Sequence, residues 1–316
     1  MCTLVVFHRC LPGRPLVVAA NRDEFLARPA EDLAIRSTPS GAILSPLDLE
    51  AGGTWLGLSD RGVFAGLTNL RPLEKPVDEE ADAQAPQNLR SRGEVVMRAL
   101  EAKSALDAAE ALEGLPPSSF NPFQLVIADE RATFLIVYRD RPRVLPLPPG
   151  PHVVGNVEDE SVAQRVGTAE ALDAGALEPP SAAYPGFEGL TGRVDLSNEP
   201  RAAKLSRIRR RVDALMSDPG YDLFERLALI CREHEADPGI GSPFEATCVH
   251  IPGPETSAKP DAHDTHVGSE IYGTRSSLLL ELSEAPGSSR LWTTDGPPCR
   301  HPYQNRSFFL KDLGLC

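Results

Sequence analysis

The sequence predicts an α+β protein in which antiparallel strands form sheets and helices cover them. Three observations carry this. Short apolar runs near the start of the chain come in pairs joined by hairpin-sized polar turns. Helical spacing occurs in separate blocks between groups of strands, whereas a parallel βαβ sheet alternates helix with strand. No glycine motif of the Rossmann or P-loop kind occurs.

The elements follow in order. Residues 4–7 and 16–20 are apolar runs flanking Leu11-Pro12-Gly13-Arg14, a turn, so the spacing predicts a hairpin. Residues 55–58 and 63–67 repeat the arrangement around Ser59-Asp60-Arg61-Gly62, in which Asp60 and Gly62 supply the turn chemistry. Residues 72–86 are acidic and contain Pro, which predicts a surface loop. Residues 92–100 and 104–112 have helical apolar spacing, with Ser104 as N-cap. Residues 123–128 and 134–138 return to strand character around Asp129-Glu130-Arg131. Residues 162–172 have helical spacing, and residues 178–200 are rich in Pro, Gly and Ser. Pro200 starts a helix carrying Leu205, Ile208, Val212 and Leu215, and a second helix covers about 221–232. Residues 253–268 read as a polar loop, 271–282 contain a strongly apolar strand, and 291–294 form a shorter one.

Composition narrows the function. The 316 residues are 41% hydrophobic and 24% charged, as in ordinary globular chains, and 30 Pro favour ordered loops over long helices. The length fits one large domain with insertions or two small domains, and a single domain spanning residues 1–316 is expected. The formal net charge of -13 repels nucleic acid and anionic lipid, while leaving room for a local basic pocket. No run approaches the ~18 apolar residues of a membrane span. The apolar stretch at residues 3–7 is too short for a signal peptide, and His8 and Arg9 interrupt it, so a cytoplasmic location is expected. The six Cys, at 2, 10, 231, 248, 299 and 316, show no paired short spacing, which favours reduced thiols. Cys248, His250, His263 and His266 match no standard zinc spacing, and no metal site is expected.

Five blocks carry a family resemblance. Met1-Cys2-Thr3-Leu4 is followed by Asn21-Arg22-Asp23-Glu24, then by Gly52-Gly53-Thr54-Trp55-Leu56-Gly57. Ala65 to Arg71, Gly155-Asn156 and Tyr272-Gly273-Thr274-Arg275-Ser276-Ser277 complete the set. In that order they resemble the NRDE family, the transport-and-Golgi-organisation family named for the Asn-Arg-Asp-Glu run. Val157-Glu158-Asp159-Glu160 replaces the Pro-Trp-Pro-Lys-like stretch usual after Gly-Asn. The family in turn resembles the cysteine branch of N-terminal-nucleophile (Ntn) hydrolases, which cleave conjugated bile acids and penicillin V. The resemblance implies an Ntn-hydrolase-like αββα sandwich, two stacked antiparallel sheets flanked by helices. Where that branch has an Arg-Asn-x-Asp-like motif, this chain has Ala20-Asn21-Arg22-Asp23: the acid is kept and Ala20 replaces the Arg.

The chemistry implied begins at Cys2. Small residues at position 2 permit removal of Met1, leaving a thiol and an α-amine on one residue. With reference pKa values of about 8.5 and about 7.7–8.0, the amine can accept the thiol proton near neutral pH. Asn69 and Asn156 are the candidate oxyanion donors, and Asp23 would steady the ammonium. Arg22 is able to grip a carboxylate or phosphate, Arg275 to contact an anionic substrate, and Trp55 to wall the pocket. A cation beside Cys2 would lower its thiol pKa. At least one of residues 21–24 is expected to be structural, Asn21 or Glu24. Cys2 also has a plain reading as a small apolar residue on a first strand. Two functions stay open: an amidohydrolase of a small amide or acyl substrate, needing no cofactor, and a carrier of haem or acyl lipid in which Cys2 or His8 ligates haem. A structural, secretory-pathway role rests on the family name alone.

Overall fold

The computed structural model describes residues 2–70, 89–158, 199–217, 222–234, 242–253 and 270–315. Its first hairpin sets the scaffold. β1 (Cys2–Leu11) and β2 (Arg14–Phe25) pair antiparallel from Cys2↔Arg22 to Leu11↔Arg14. Pro12 and Gly13 make the turn, Gly13 at φ 68°, a conformation that costs glycine little. β2 pairs on its other edge with β12 (Glu270–Leu282), and these long strands are the centre of the first sheet. β10 (Gly150–Val154) flanks β1. β11 (His250–Pro252) and β13 (Arg290–Asp295) lie end to end along the free edge of β12, with β14 (Gln304–Asn305) beyond β13.

The second sheet runs in chain order through β3 (Ala30–Thr38), β4 (Gly41–Asp48), β5 (Leu56–Ser59), β6 (Phe64–Asn69), β7 (Phe123–Ala128), β8 (Thr133–Tyr138) and β9 (Pro142–Leu147). Among the described residues every paired strand in both sheets is antiparallel.

Side-chain alternation makes the layers. Leu4, Val6, Leu16, Val18, Leu278 and Leu280 face the second sheet's Leu44, Leu58, Phe64 and Val126. Each such side chain contributes about 1.5–3 kcal/mol by leaving water. The opposite faces meet helices. α1 (Arg92–Leu100) and α2 (Ala105–Glu113) cover the second sheet, placing Val96, Leu100 and Leu112 on Ala65, Leu125 and Ile127. α3 (Glu199–Ser217) and α4 (Leu223–Arg232) cover the first, placing Ile208, Val212 and Leu227 on Val5, Phe7 and Val17. α5 (Phe308–Asp312) closes one end, with Leu310 in the inter-sheet core. The sandwich is therefore helix, sheet, sheet, helix, as the family resemblance implies.

Sequence and structure agree where periodicity is clean. Ser104 caps α2 by accepting from the Asp107 amide (3.1 Å), and Asp222 caps α4 through the Phe224 amide (2.8 Å). β3, β4, β9, β10, β11, β14 and α5 are additions that the apolar spacing does not announce. The acidic loop (72–86), the helical stretch at 162–172, residues 178–198 and the polar loop from residue 254 lie outside the described residues.

Candidate functional site

The site lies where β1 begins and β2 ends. Leu4 and Val6 face the inter-sheet core, so alternation puts Cys2 on that face as well. Arg22 sits directly across from it in register. Its guanidinium lies 3.6 Å from the centroid of the Trp55 ring, which belongs to the second sheet's side of the gap. Arg22 is buried, and burial lowers its pKa; the nearby Cys2 and Glu24 charges oppose that shift. Stacking on Trp55 supplies a cation–π contact to a charge withdrawn from water.

A cavity of about 290 Å³ opens in front of Cys2. Cys2, Arg22, Glu24, Trp55 and Asn69 line it, with Arg28, Asp48 and the start of α1 at Ser91, Arg92 and Gly93. The double glycine before Trp55 makes this wall. Gly52 and Gly53 have φ of 69° and 73°, and a Cβ on Gly53 would stand 2.6 Å from the Gly93 carbonyl carbon. Only glycine lets the loop press onto the helix start. Arg28 is held by Asp48 (2.9 Å) and Glu50 (3.1 Å).

Other residues of the motif lie elsewhere. Asp23 leaves the opposite face of the first sheet from Arg22, toward α3. It is 1% exposed, accepts from Thr274 Oγ1 (2.6 Å), and forms an ion pair with Lys204 Nζ at 3.2 Å. The Tyr272 hydroxyl donates to its backbone carbonyl (3.0 Å). Asn21 is structural: its amide donates to the carbonyls of Cys231 (2.9 Å) and Thr247 (3.0 Å). Asn156 donates to the backbone carbonyl of Asn69 (2.7 Å) and does not line the cavity. Arg275 occupies the bulge between the Thr274 and Ser276 pairings and donates to the Arg28 carbonyl. It lines a neighbouring cavity of about 310 Å³, which shares Arg22 and Trp55 with the first. The Arg22–Trp55 stack therefore partitions the space between the sheets.

Cys2, Asp23, Asn69, Asn156 and Arg275 thus divide into three groups. Cys2 and Asn69 face one cavity, Arg275 faces the next, and Asp23 and Asn156 support from behind. With Met1 in place, burial is the largest effect on the Cys2 thiol and raises its pKa; the terminal amine and Arg22 oppose the rise, and the Asp23 and Glu24 charges add to it. The departure at Val157-Glu158 has a local purpose, since Glu158 pairs with Arg139 (2.5 Å) and Arg143 (3.3 Å). His8 is buried beside Asp129 and His152, six residues along β1 from Cys2, or about 20 Å at strand rise. The two could not ligate one haem iron.

Sequence reasoning missed Lys204, a lysine on an amphipathic helix with no local mark of its role. It also missed that Cys299 joins Cys248 and His250: the three ligand atoms lie within 4.8 Å of one another. His263 and His266 lie outside the described residues.

A sandwich of two antiparallel sheets between helix layers is the architecture of Ntn-hydrolase-fold proteins. A mutant conjugated bile acid hydrolase from Clostridium perfringens matches over 98% of this chain and 93% of its own, with a TM-score of 0.50 and 12% identity, a likeness of fold. Residues 1–285 match the family described as Transport and Golgi organisation 2, and the chain belongs to that family. A Bos taurus protein named Transport and Golgi organization protein 2 homolog is 29% identical over 283 residues, covering 86% of this chain and 83% of that one. The Homo sapiens homolog is 29% identical over 282 residues at the same coverage. No helix among the described residues is long and apolar enough to cross a membrane.

Proposed function

We propose that the chain is a cysteine Ntn amidohydrolase acting on a small amide or acyl substrate that carries an anionic group. The observation that carries this reading is the shared cavity of Cys2, Arg22 and Asn69 at the head of β1. Its volume, near 290 Å³, is at the small end of the range for ligand pockets, which suits a compact substrate. Arg22, Arg28, Arg90 and Arg92 line it against Glu24 and Asp48, and the N-terminal end of α1 adds its partial positive charge. That balance attracts an anion within an otherwise acidic protein.

In this reading removal of Met1 leaves Cys2 with a free α-amine. The amine takes the thiol proton, and the sulfur attacks the substrate carbonyl carbon. The Asn69 side chain donates to the oxyanion as the tetrahedral intermediate forms. Collapse breaks the C–N bond, the departing amine takes the proton, and water then hydrolyses the thioester. Asn156 acts as a positioning residue by holding the Asn69 backbone. Asp23, on the face away from the thiol, addresses the α-amine, which lies in the plane of the sheet.

The carrier reading has its own support: the Cys2 thiol is raised by burial and Asp23 already has Lys204 as its counter-charge. Mass spectrometry of the intact protein together with a thiol-trapping acyl probe separates the two. Loss of Met1 with probe labelling of wild type and none of Cys2→Ala supports the hydrolase. Retained Met1 with no labelling, and haem binding that produces a Soret band lost in Cys2→Ala, supports the carrier.

A further inference from the structure

Apart from the cavity at Cys2, one cluster of ligating side chains has no part in the chemistry described. Cys248 lies two residues before His250, which opens β11, and Cys299 lies in the turn after β13. The three converge although 51 residues separate the two cysteines. Sγ of Cys248 lies 3.5 Å from Sγ of Cys299 and 3.5 Å from Nε2 of His250, and that nitrogen lies 3.1 Å from Sγ of Cys299. A tetrahedral zinc ion with bonds of about 2.3 Å to sulfur and about 2.05 Å to nitrogen requires S···S near 3.8 Å and S···N near 3.6 Å. The triangle needs to open by no more than about half an ångström to accept it.

The surroundings add a second observation. The other ring nitrogen of His250, Nδ1, faces Glu270 Oε2 at 3.2 Å, and the second Glu270 oxygen is held by Arg300 at 2.7 Å. A carboxylate on the far nitrogen of a ligating imidazole fixes its tautomer and turns Nε2 toward the metal. Cys248 is buried while His250 and Cys299 are half-buried, so the site reaches solvent on one side. Solvent there can supply a fourth ligand.

We propose that Cys248, His250 and Cys299 bind one zinc ion, with Glu270 orienting His250, and that the ion staples β11 to the turn after β13. Two thiols and one imidazole form a soft donor set that selects zinc over magnesium or calcium. Binding displaces two thiol protons to solvent. The staple has a purpose in the fold. β11 and β13 occupy successive stretches of the same edge of β12 and leave a gap at Thr274–Arg275. The strand there is bulged, and the Val249 amide donates to Thr274 Oγ1 (2.8 Å), which in turn donates to Asp23. A metal across the gap keeps that relay in register. The inference does not rest on Cys2 acting as a nucleophile.

The test uses the full chain, purified reduced, stripped with a chelator and titrated with Co²⁺ and then Zn²⁺. One equivalent of Co²⁺ should give a thiolate-to-cobalt charge-transfer band that Zn²⁺ abolishes. Cys2→Ala should keep the band. Cys299→Ser, at a half-buried position, should lose it, with an affinity loss beyond the roughly 10–100-fold expected for Glu270→Gln, which keeps the band. Zinc should raise the unfolding temperature of wild type and Cys2→Ala but not of Cys299→Ser, and metal-free Cys299→Ser should unfold with metal-free wild type. Three results would overturn the proposal: no band in reduced wild type, a band lost in Cys2→Ala yet kept in Cys299→Ser, or isolation of the native protein metal-free with Cys248 and Cys299 joined as a disulfide.

Discussion

Replacing Lys204 with Met tests the support behind the site. Lys204 and Asp23 form an ion pair at 3.2 Å whose side chains are 6% and 1% exposed. At an effective dielectric of about 20 the attraction is about 5 kcal/mol, comparable to what desolvation of two ions costs. The pair as a whole therefore adds little net stability, while its halves depend on each other. Lys204→Met keeps the length of the side chain and removes the charge. Asp23 retains the Thr274 hydroxyl (2.6 Å) but loses the buried ammonium that offsets its charge. The expected loss is about 3–5 kcal/mol. Urea unfolding followed by fluorescence measures it from the midpoint at constant slope. The double variant Asp23→Asn, Lys204→Met should recover part of the loss, because the carboxylate charge is removed together with the ammonium. A single variant within about 1 kcal/mol of wild type would refute the reasoning, since that is the behaviour of a solvated pair.

Four further outcomes are expected. With Met1 retained, Cys2 should alkylate with an apparent pKa above the ordinary thiol value of about 8.5, because burial dominates; Glu24→Gln should lower that value and Arg22→Gln raise it, read by mass spectrometry of the N-terminal peptide across a pH series. His8 has a pKa lowered by burial, so its contribution to stability is complete above its unfolded value of about 6.5 and is lost as pH falls toward the folded value. The urea midpoint of wild type should therefore drop more between about pH 7.5 and about pH 5.5 than that of His8→Gln, and equal drops would remove His8 from the account. Gly53→Ala forces a Cβ onto the Gly93 backbone at positive φ and should cost more than about 1 kcal/mol in thermal unfolding while disturbing probe binding at the cavity. Ser104→Ala removes the α2 cap and should cost about 1 kcal/mol without altering Cys2 labelling, which makes it the control for a purely structural change.

The amino-acid sequence determined the parts of this protein that local chemistry writes. Apolar runs around Pro12-Gly13 and Asp60-Arg61-Gly62 specify hairpins because turn backbone conformations favour few residues. The 3.6-residue spacing in α1 to α4 specifies which helix faces are buried. The motif blocks determined the family, and pairing of β1 with β2 then put Cys2 beside Arg22. Strands without clean alternation stayed hidden. β3 is an edge strand with no fully buried position, and β9 carries Pro142 and Pro146, which suit an edge but mask strand character. Only the tertiary structure decided which face each motif residue addresses. Arg22 and Asp23 are adjacent in sequence, yet strand alternation sends one to the cavity and Trp55 and the other to Lys204, 181 residues away. The same holds for Cys248, His250 and Cys299, whose spacing means nothing until β12 aligns β11 and β13 along one edge. Burial and long-range pairing set the charge state of a thiol or a carboxylate, and neither has a signature in the few residues around it.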